Sequence, residues 1–390
     1  MGRLREIGRW ACVLVLLLGN GCASTPELSP RITGLFHDAQ FEPRKDAFEP
    51  ASVFELSPAM RTYLRNEVLA PNNGNGRART LLSALYDKHQ LQLEYDSSYT
   101  RTARQAFEAK SGNCLSLVLM TAALAKEIGL GVHYQSVFTP ENVSRNAGSL
   151  YYSDHVNLVL GQVDVDVSVV PNASDPKMVV DFLSPAETSG QRSIGISEQT
   201  VLAMYMNNRA AEEMSTKRLD EAYWWARQAI VTDPAFLASY NTLGVVYERH
   251  GDLTAAEQAL RHVIGIEPAN HAALSNLVRV TLKLGNAAES VLLEQRLRQI
   301  KPTPPFYYFD LGMAAMQAKD YASARDHFSM EVSRAAYNHE FHFWLAGAYI
   351  GLNDPVKARK HLQIARDNAT TAADRAVYAA KLKELQPPLK

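Results

Sequence analysis

Residues Leu237 to Pro268 read LASYNTLGVVYERHGDLTAAEQALRHVIGIEP, and this stretch decides the fold of the C-terminal half. It describes a helical hairpin: large residues Tyr240, Leu243 and Tyr247 on one helix, a turn at Arg249-His250-Gly251-Asp252, then a second helix closed by Pro268. Proline ends that helix because it has no backbone N–H to donate. Working outward, Pro234, Pro268 and Pro302 are each 34 residues apart. The same frame sets Ala210, Gly244, Val278, Gly312 and Ala346 at one position, and Ala222, Ala256, Ser290, Ala324 and Ala358 at another. Small residues at both sites let paired helices approach closely, while Leu311, Phe328, Leu345 and Tyr349 fill the space between. The loops Leu284-Gly285-Asn286 and Leu352-Asn353-Asp354 fall at matching phase.

A helix–turn–helix unit of this period resembles the tetratricopeptide repeat. Five units span residues 203–371; the first and third are less regular, and the last lacks the proline. Residues 372–390 read as a capping helix, Ala372 to Leu385, and a tail. Each hairpin exposes an apolar face that only a neighbour can cover, so the units stack into an all-α solenoid. The resemblance implies a scaffold for a protein or peptide partner. Trp224, Trp225, Phe306, Tyr307, Tyr308, Phe343 and Trp344 read mainly as packing residues between hairpins.

The whole chain has 390 residues, too many for one ordinary core, so two domains are expected. Hydrophobic residues at 46% and charged ones at 21% describe a globular protein. A net charge of -1 without a basic, aromatic-interleaved stripe excludes nucleic acid as a partner. Arg3, Arg5 and Arg9 precede a short apolar run, Ala11 to Leu18. That run falls short of the roughly 20 apolar residues of a spanning helix and reads as an export signal. Leu18-Gly19-Asn20-Gly21-Cys22 resembles a bacterial lipoprotein processing box, with Gly19 where that box usually has Leu. It implies a signal peptide over 1–22, lipidation of Cys22 and a membrane anchor. Ala23, where inner-membrane lipoproteins carry Asp, implies the outer membrane, facing the periplasm of a Gram-negative bacterium. The alternative is an ordinary secretory signal cut near Ala23. Residues 23–55, with Pro26, Pro30, Pro43 and Pro50, read as a tether.

Of three cysteines, Cys12 lies in the signal and Cys22 would carry lipid, which leaves Cys114 alone. Exported cysteines normally pair, so an unpaired one is either a buried small hydrophobe or a reactive thiol. Around it, residues 56–200 alternate between patterns. Helices are predicted over 60–67, 77–86 and 99–107, and a long apolar one over 113–128, ended by Gly129. A strand follows over 131–138, then a hairpin of 155–160 and 163–170 about Gly161-Gln162. Helices first and a small antiparallel sheet after make an α+β domain.

Within it, Gly112-Asn113-Cys114 opens the apolar helix, which continues into Ala122-Ala123-Leu124-Ala125 and Gly129-Leu130-Gly131-Val132; His155 opens a later strand. This order resembles the transglutaminase-like superfamily, relatives of papain in catalytic layout, over residues 80–170. The resemblance implies a cysteine peptidase or amidase acting on an amide bond by hydrolysis or acyl transfer, without a cofactor, through Cys114, His155 and an aspartate. The chemistry is coherent. A helix N-terminus carries unsatisfied N–H groups and partial positive charge, which favour a thiolate and can accept an oxyanion. His155 would take the thiol proton and later protonate the leaving group, with a carboxylate holding its other nitrogen.

A two-residue turn at Gly161-Gln162 would pair Val159 with Asp164, Asn157 with Asp166 and His155 with Ser168, all on one face. Asp166 is then diagonal to His155 and is the expected third member, with Asp164 as the alternative; Asp154 points to the opposite face. Metal motifs fail: Asp164-Val165-Asp166 lacks the glycine and glutamate of a calcium loop. His339 and His342 are spaced three apart rather than the four of a zinc-protease helix. The competing function is a tethered, non-enzymatic interaction scaffold in envelope assembly or secretion.

Overall fold

The computed structural model describes residues 28–44, 48–70, 76–86, 91, 93–137, 143–146, 149–152, 155–161, 178–182, 191–300 and 302–385. The export signal and Cys22 lie outside them. Among the described residues no helix is long and apolar enough to cross a membrane.

The N-terminal part contains α1 (Pro30–Thr33), α2 (Pro58–Tyr63, extended by a π-helical turn Leu64–Leu69), α3 (Arg77–Tyr86), α4 (Ala103–Ala109) and α5 (Cys114–Glu127). Strands β1 (Glu94–Tyr95) and β2 (Ser111–Gly112) form a short parallel bridge. A four-stranded antiparallel sheet runs in the order β7-β6-β3-β8, from β3 (Gly131–Val137), β6 (His155–Gly161), β7 (Met178–Val180) and β8 (Ser193–Ile196). Between β3 and β6, β4 (Val143–Asn146) and β5 (Ser149–Tyr152) make a separate hairpin. Helix α5 is buried continuously from Leu115 to Ala125 because it packs against β3 and β6. A helix apolar all round belongs in a core.

Residues 163–170 of the expected hairpin lie outside the described residues, and the edge of β6 that it would use belongs over Leu158–Leu160 to β7. Val159 faces His133 on β3 and Val179 on β7, not Asp164. Strand β3 pairs along the whole of β6 and β7 takes its other edge over Leu158–Leu160, so no edge there is left for a strand beginning at Val163. Asp164, Asp166 and Asp154 themselves lie outside the described residues.

The C-terminal array begins with α6 (Glu198–Ser215) and α7 (Leu219–Thr232), continues through α8 (Leu237–His250), α9 (Leu253–Ile266), α10 (His271–Lys283) and α11 (Ala287–Ile300), and ends in α12 (Tyr307–Gln317), α13 (Tyr321–Arg334), α14 (His339–Gly351), α15 (Pro355–Asp367) and α16 (Ala372–Glu384). The backbone repeats as the sequence does: Lys217, Gly251, Gly285, Lys319 and Asn353, 34 residues apart, all have positive φ at the hairpin tip. Glycine adopts that conformation freely, whereas Lys217 and Lys319 do so under strain. Asp252, Asp320 and Asp354 follow three of these tips and cap the next helix, each accepting a backbone N–H. Gly312 allows a close approach, since a Cβ there would meet the Phe328 ring at 2.5 Å.

The stack is not uniform. One core runs from Leu35 to Leu293, joining the N-terminal part to the first three repeats. A second is built around Phe306, Phe309, Phe328 and Phe341, and a small third around Ala365 and Tyr378. All consecutive array helices pack closely except α11 and α12, which hardly touch. Leu311 is therefore 37% exposed, whereas Leu277, one period earlier, is 0% exposed.

The stretch read as a tether is, over residues 28–44, a strap bound to the first two repeats. Phe41 stacks on Tyr223 with ring centroids 3.9 Å apart. The Tyr247 hydroxyl donates to the Leu35 carbonyl (2.7 Å) and accepts from the His37 N–H (3.0 Å). Arg227 pairs with Asp38, and Trp224 Nε1 donates to the Glu42 carbonyl. The strap is partly helical, and its partners on the repeats are aromatic and charged.

Candidate active site

Asn113 is the N-cap of α5, its side-chain oxygen accepting from Ser116 N–H (2.9 Å) and Ser116 Oγ (2.7 Å). This cap fixes the first turn, so Cys114, half-buried at the first helical position, stands among the free N–H groups of the helix end. Gly112 precedes it in β2, where a Cβ would meet Ser116 Cβ at 2.6 Å, so only glycine lets the chain turn this tightly into the helix.

His155 opens β6 opposite the last residue of β3, Val137, and its ring is 1% exposed. The Cys114 thiol stands beside the ring and is one of the groups that raise it. Its Nε2 lies 2.6 Å from Asp181 Oδ1. Burial pulls the imidazole down, but the hydrogen bonds to Asp181 and Cys114 and their charges outweigh it and push it up to about 10. Thiol, imidazole and carboxylate thus stand in series, the order in which a proton leaves sulfur and the resulting imidazolium is held.

Asp181, the residue after β7, was not singled out from the sequence. Extending the β6–β7 register by one residue from Leu158↔Val180 sets it opposite Asn157 and diagonal to His155. That is the slot the hairpin argument assigned to Asp166, now filled from a strand that arrives later in the chain. The available signal was the β-branched run Met178-Val179-Val180 ending on Asp181, after the breaker-rich Pro171 to Pro176.

The site is tied to the array. Asn113 Nδ2 donates to Thr100 Oγ1 (2.8 Å), and the Thr100 N–H donates to Glu212 Oε1 on α6 (2.6 Å). Arg209 pairs with both Glu212 and Glu213, and its guanidinium lies over the Tyr99 ring. In the same loop the Ser97 N–H donates to the Thr370 carbonyl, at the end of the last repeat (2.8 Å). The β4–β5 hairpin, which connects β3 to the strand carrying His155, packs against α10.

Among the described residues no three His, Cys, Asp or Glu side chains gather as a metal site requires. His339 bonds Tyr378 and Thr370, while His342 pairs with His361, so these two histidines face different partners.

Comparison with known proteins bears on the array. The Tetratricopeptide repeat family profile matches residues 237–270, the α8–α9 hairpin. Among solved structures, the tetratricopeptide protein TTC0263 of Thermus thermophilus is 14% identical, covering 46% of this chain and 99% of its own, with a TM-score of 0.30. YrrB, described as a tetratricopeptide protein with an unusual peptide-binding site, is 19% identical over 46% of this chain and 92% of its own, with a TM-score of 0.25. MamA is 16% identical over 47% and 97%, also at 0.25. No curated protein matches the chain. The C-terminal part is a tetratricopeptide-like helical solenoid, a fold suited to protein–protein interaction.

Proposed function

We propose that this protein is a thiol-dependent enzyme of the transglutaminase-like kind, acting on amide bonds of a peptide or protein. Cys114 is the nucleophile, His155 the general base and acid, and Asp181 the residue that orients the imidazole. The observation that carries this reading is a buried histidine, bonded through Nε2 to a carboxylate, beside the lone thiol at the head of α5. The thiolate attacks the carbonyl carbon, the helix-end N–H groups receive the oxyanion, and the imidazolium protonates the departing amine. Water or a second amine then releases the acyl group, water being the simpler acceptor. The array recruits the protein substrate or a partner. Export and lipidation at Cys22, at the periplasmic face of the outer membrane, complete the reading.

The test is alkylation of Cys114 by iodoacetamide across pH. The reading expects the rate to persist at about pH 6 and to be lost in His155→Ala, because only the ion-paired sulfur stays nucleophilic in acid. A wild-type rate that rises only above about pH 8, as for a free thiol, sinks it. A second reading, an interaction scaffold without catalysis, is favoured by one fact: the family match falls on the repeats. Acid-tolerant alkylation separates the two.

A further inference from the structure

We propose that Asn157 is a positioning residue for the thiol chemistry, clamping Asp181 so that one carboxylate oxygen stays aimed at His155. The proposal rests on the enzymatic reading above.

The argument begins with strand geometry. Asn157 follows His155 by two residues on β6, so both side chains project from one face of the sheet. Asp181 sits opposite Asn157 by register and receives both of them. His155 Nε2 meets Oδ1 at 2.6 Å, and Asn157 Nδ2 donates to Oδ2 at 2.9 Å. The terminal torsion of an aspartate is broad, so a carboxylate held by one donor can rotate away from it. Two donors on separate oxygens fix its plane. Asn157 does this without charge, whereas a lysine or arginine there would compete with the imidazolium for Asp181. The groups that act on His155 are Asp181 and Cys114.

Packing alone does not account for an amide at this position. Asn157 is 5% exposed, and its Oδ1 is buried with no hydrogen-bond partner among the described residues. An apolar side chain of the same volume would fill the space without burying an unpaired acceptor. What it would lack is the donor to Asp181.

The experiment uses the full chain with two variants. Asn157→Leu keeps the volume and removes the donor; Asn157→Ser is smaller but retains one. Folding is checked by far-ultraviolet circular dichroism and urea midpoint, and Cys114 alkylation by iodoacetamide is followed across pH. The expected result is that Asn157→Leu loses about tenfold in rate at pH 6, a one-unit displacement of the profile, with the alkaline plateau unchanged. Asn157→Ser recovers most of that loss. A folded Asn157→Leu with the wild-type profile overturns the clamp and leaves the enzymatic reading standing. Equal losses in both variants also overturn it, since a retained donor then brings no recovery. A wild-type profile without acid-tolerant alkylation removes the clamp and the enzymatic reading together.

Discussion

His155 and His361 are imidazoles enclosed in opposite halves of the chain, and they are driven in opposite directions. Burial disfavours the charged form at both. At His155 the carboxylate of Asp181 and the sulfur of Cys114 reverse that effect, raising the ring to about 10. At His361 the neighbours are another imidazole, His342, with Nδ1 atoms 3.0 Å apart, and the ammonium of Lys360; burial first and these charges second lower it to about 4. Burial does not decide what a histidine is for; the chemistry of its partner does. The N-terminal part is built around an imidazole kept charged, the final repeats around imidazoles kept neutral. Their packing separates in the same way, since the first three repeats share a core with the N-terminal part and the last two do not.

The largest effect expected from that separation is on stability. Phe328→Ala should cost about 3–5 kcal/mol and Leu277→Ala about 2–5 kcal/mol, as truncations of fully buried side chains do. Hydrogen exchange should localise the first loss to α12–α15 and carry the second into α5. Equal loosening of α5 in both variants would show the cores to be one. Next in size, Asp181→Asn should lower Cys114 alkylation at pH 6 by about a hundredfold, corresponding to two units in the profile. An unchanged rate would mean that the carboxylate does nothing for the sulfur.

The two histidines also give opposite pH responses. The folded value of His361 lies below its ordinary 6.5, so its contribution to stability is present above pH 6.5 and lost as pH falls through about 4. The folded value of His155 lies above 6.5, so its contribution is complete below pH 6.5 and lost as pH rises through about 10. Exchange measured against pH should therefore loosen α14–α15 in acid and the β6 region in alkali; a single window for both would refute the contrast. Smallest of all, Glu212→Gln weakens the charged acceptor of the Thr100 N–H and should cost about 1 kcal/mol in a urea melt.

The array was legible because its period is written in residues that must be small, such as Gly312, or must turn, such as Gly251. The approach of Cys114 and His155 was legible for a related reason: a capped helix start and a strand start are local signals. Asp181 was not. Gly161-Gln162 looks like a complete turn, but β6 ends at Gly161 and its partner β7 begins only at Met178. The short run Met178-Val179-Val180 is the one local mark of that return, and it does not say which edge the strand joins. The strap escaped reading for the converse reason: its prolines resemble a linker, and its partners Tyr223 and Tyr247 lie far along the chain. Polypeptide stiffness is visible locally, whereas docking is not.

The loop from Asp96 to Arg101 grips α6 through Thr100 and the far end of the array through Ser97. Both ends of the array are thereby fastened to one short loop, and that loop is bonded to the cap of the helix that bears Cys114.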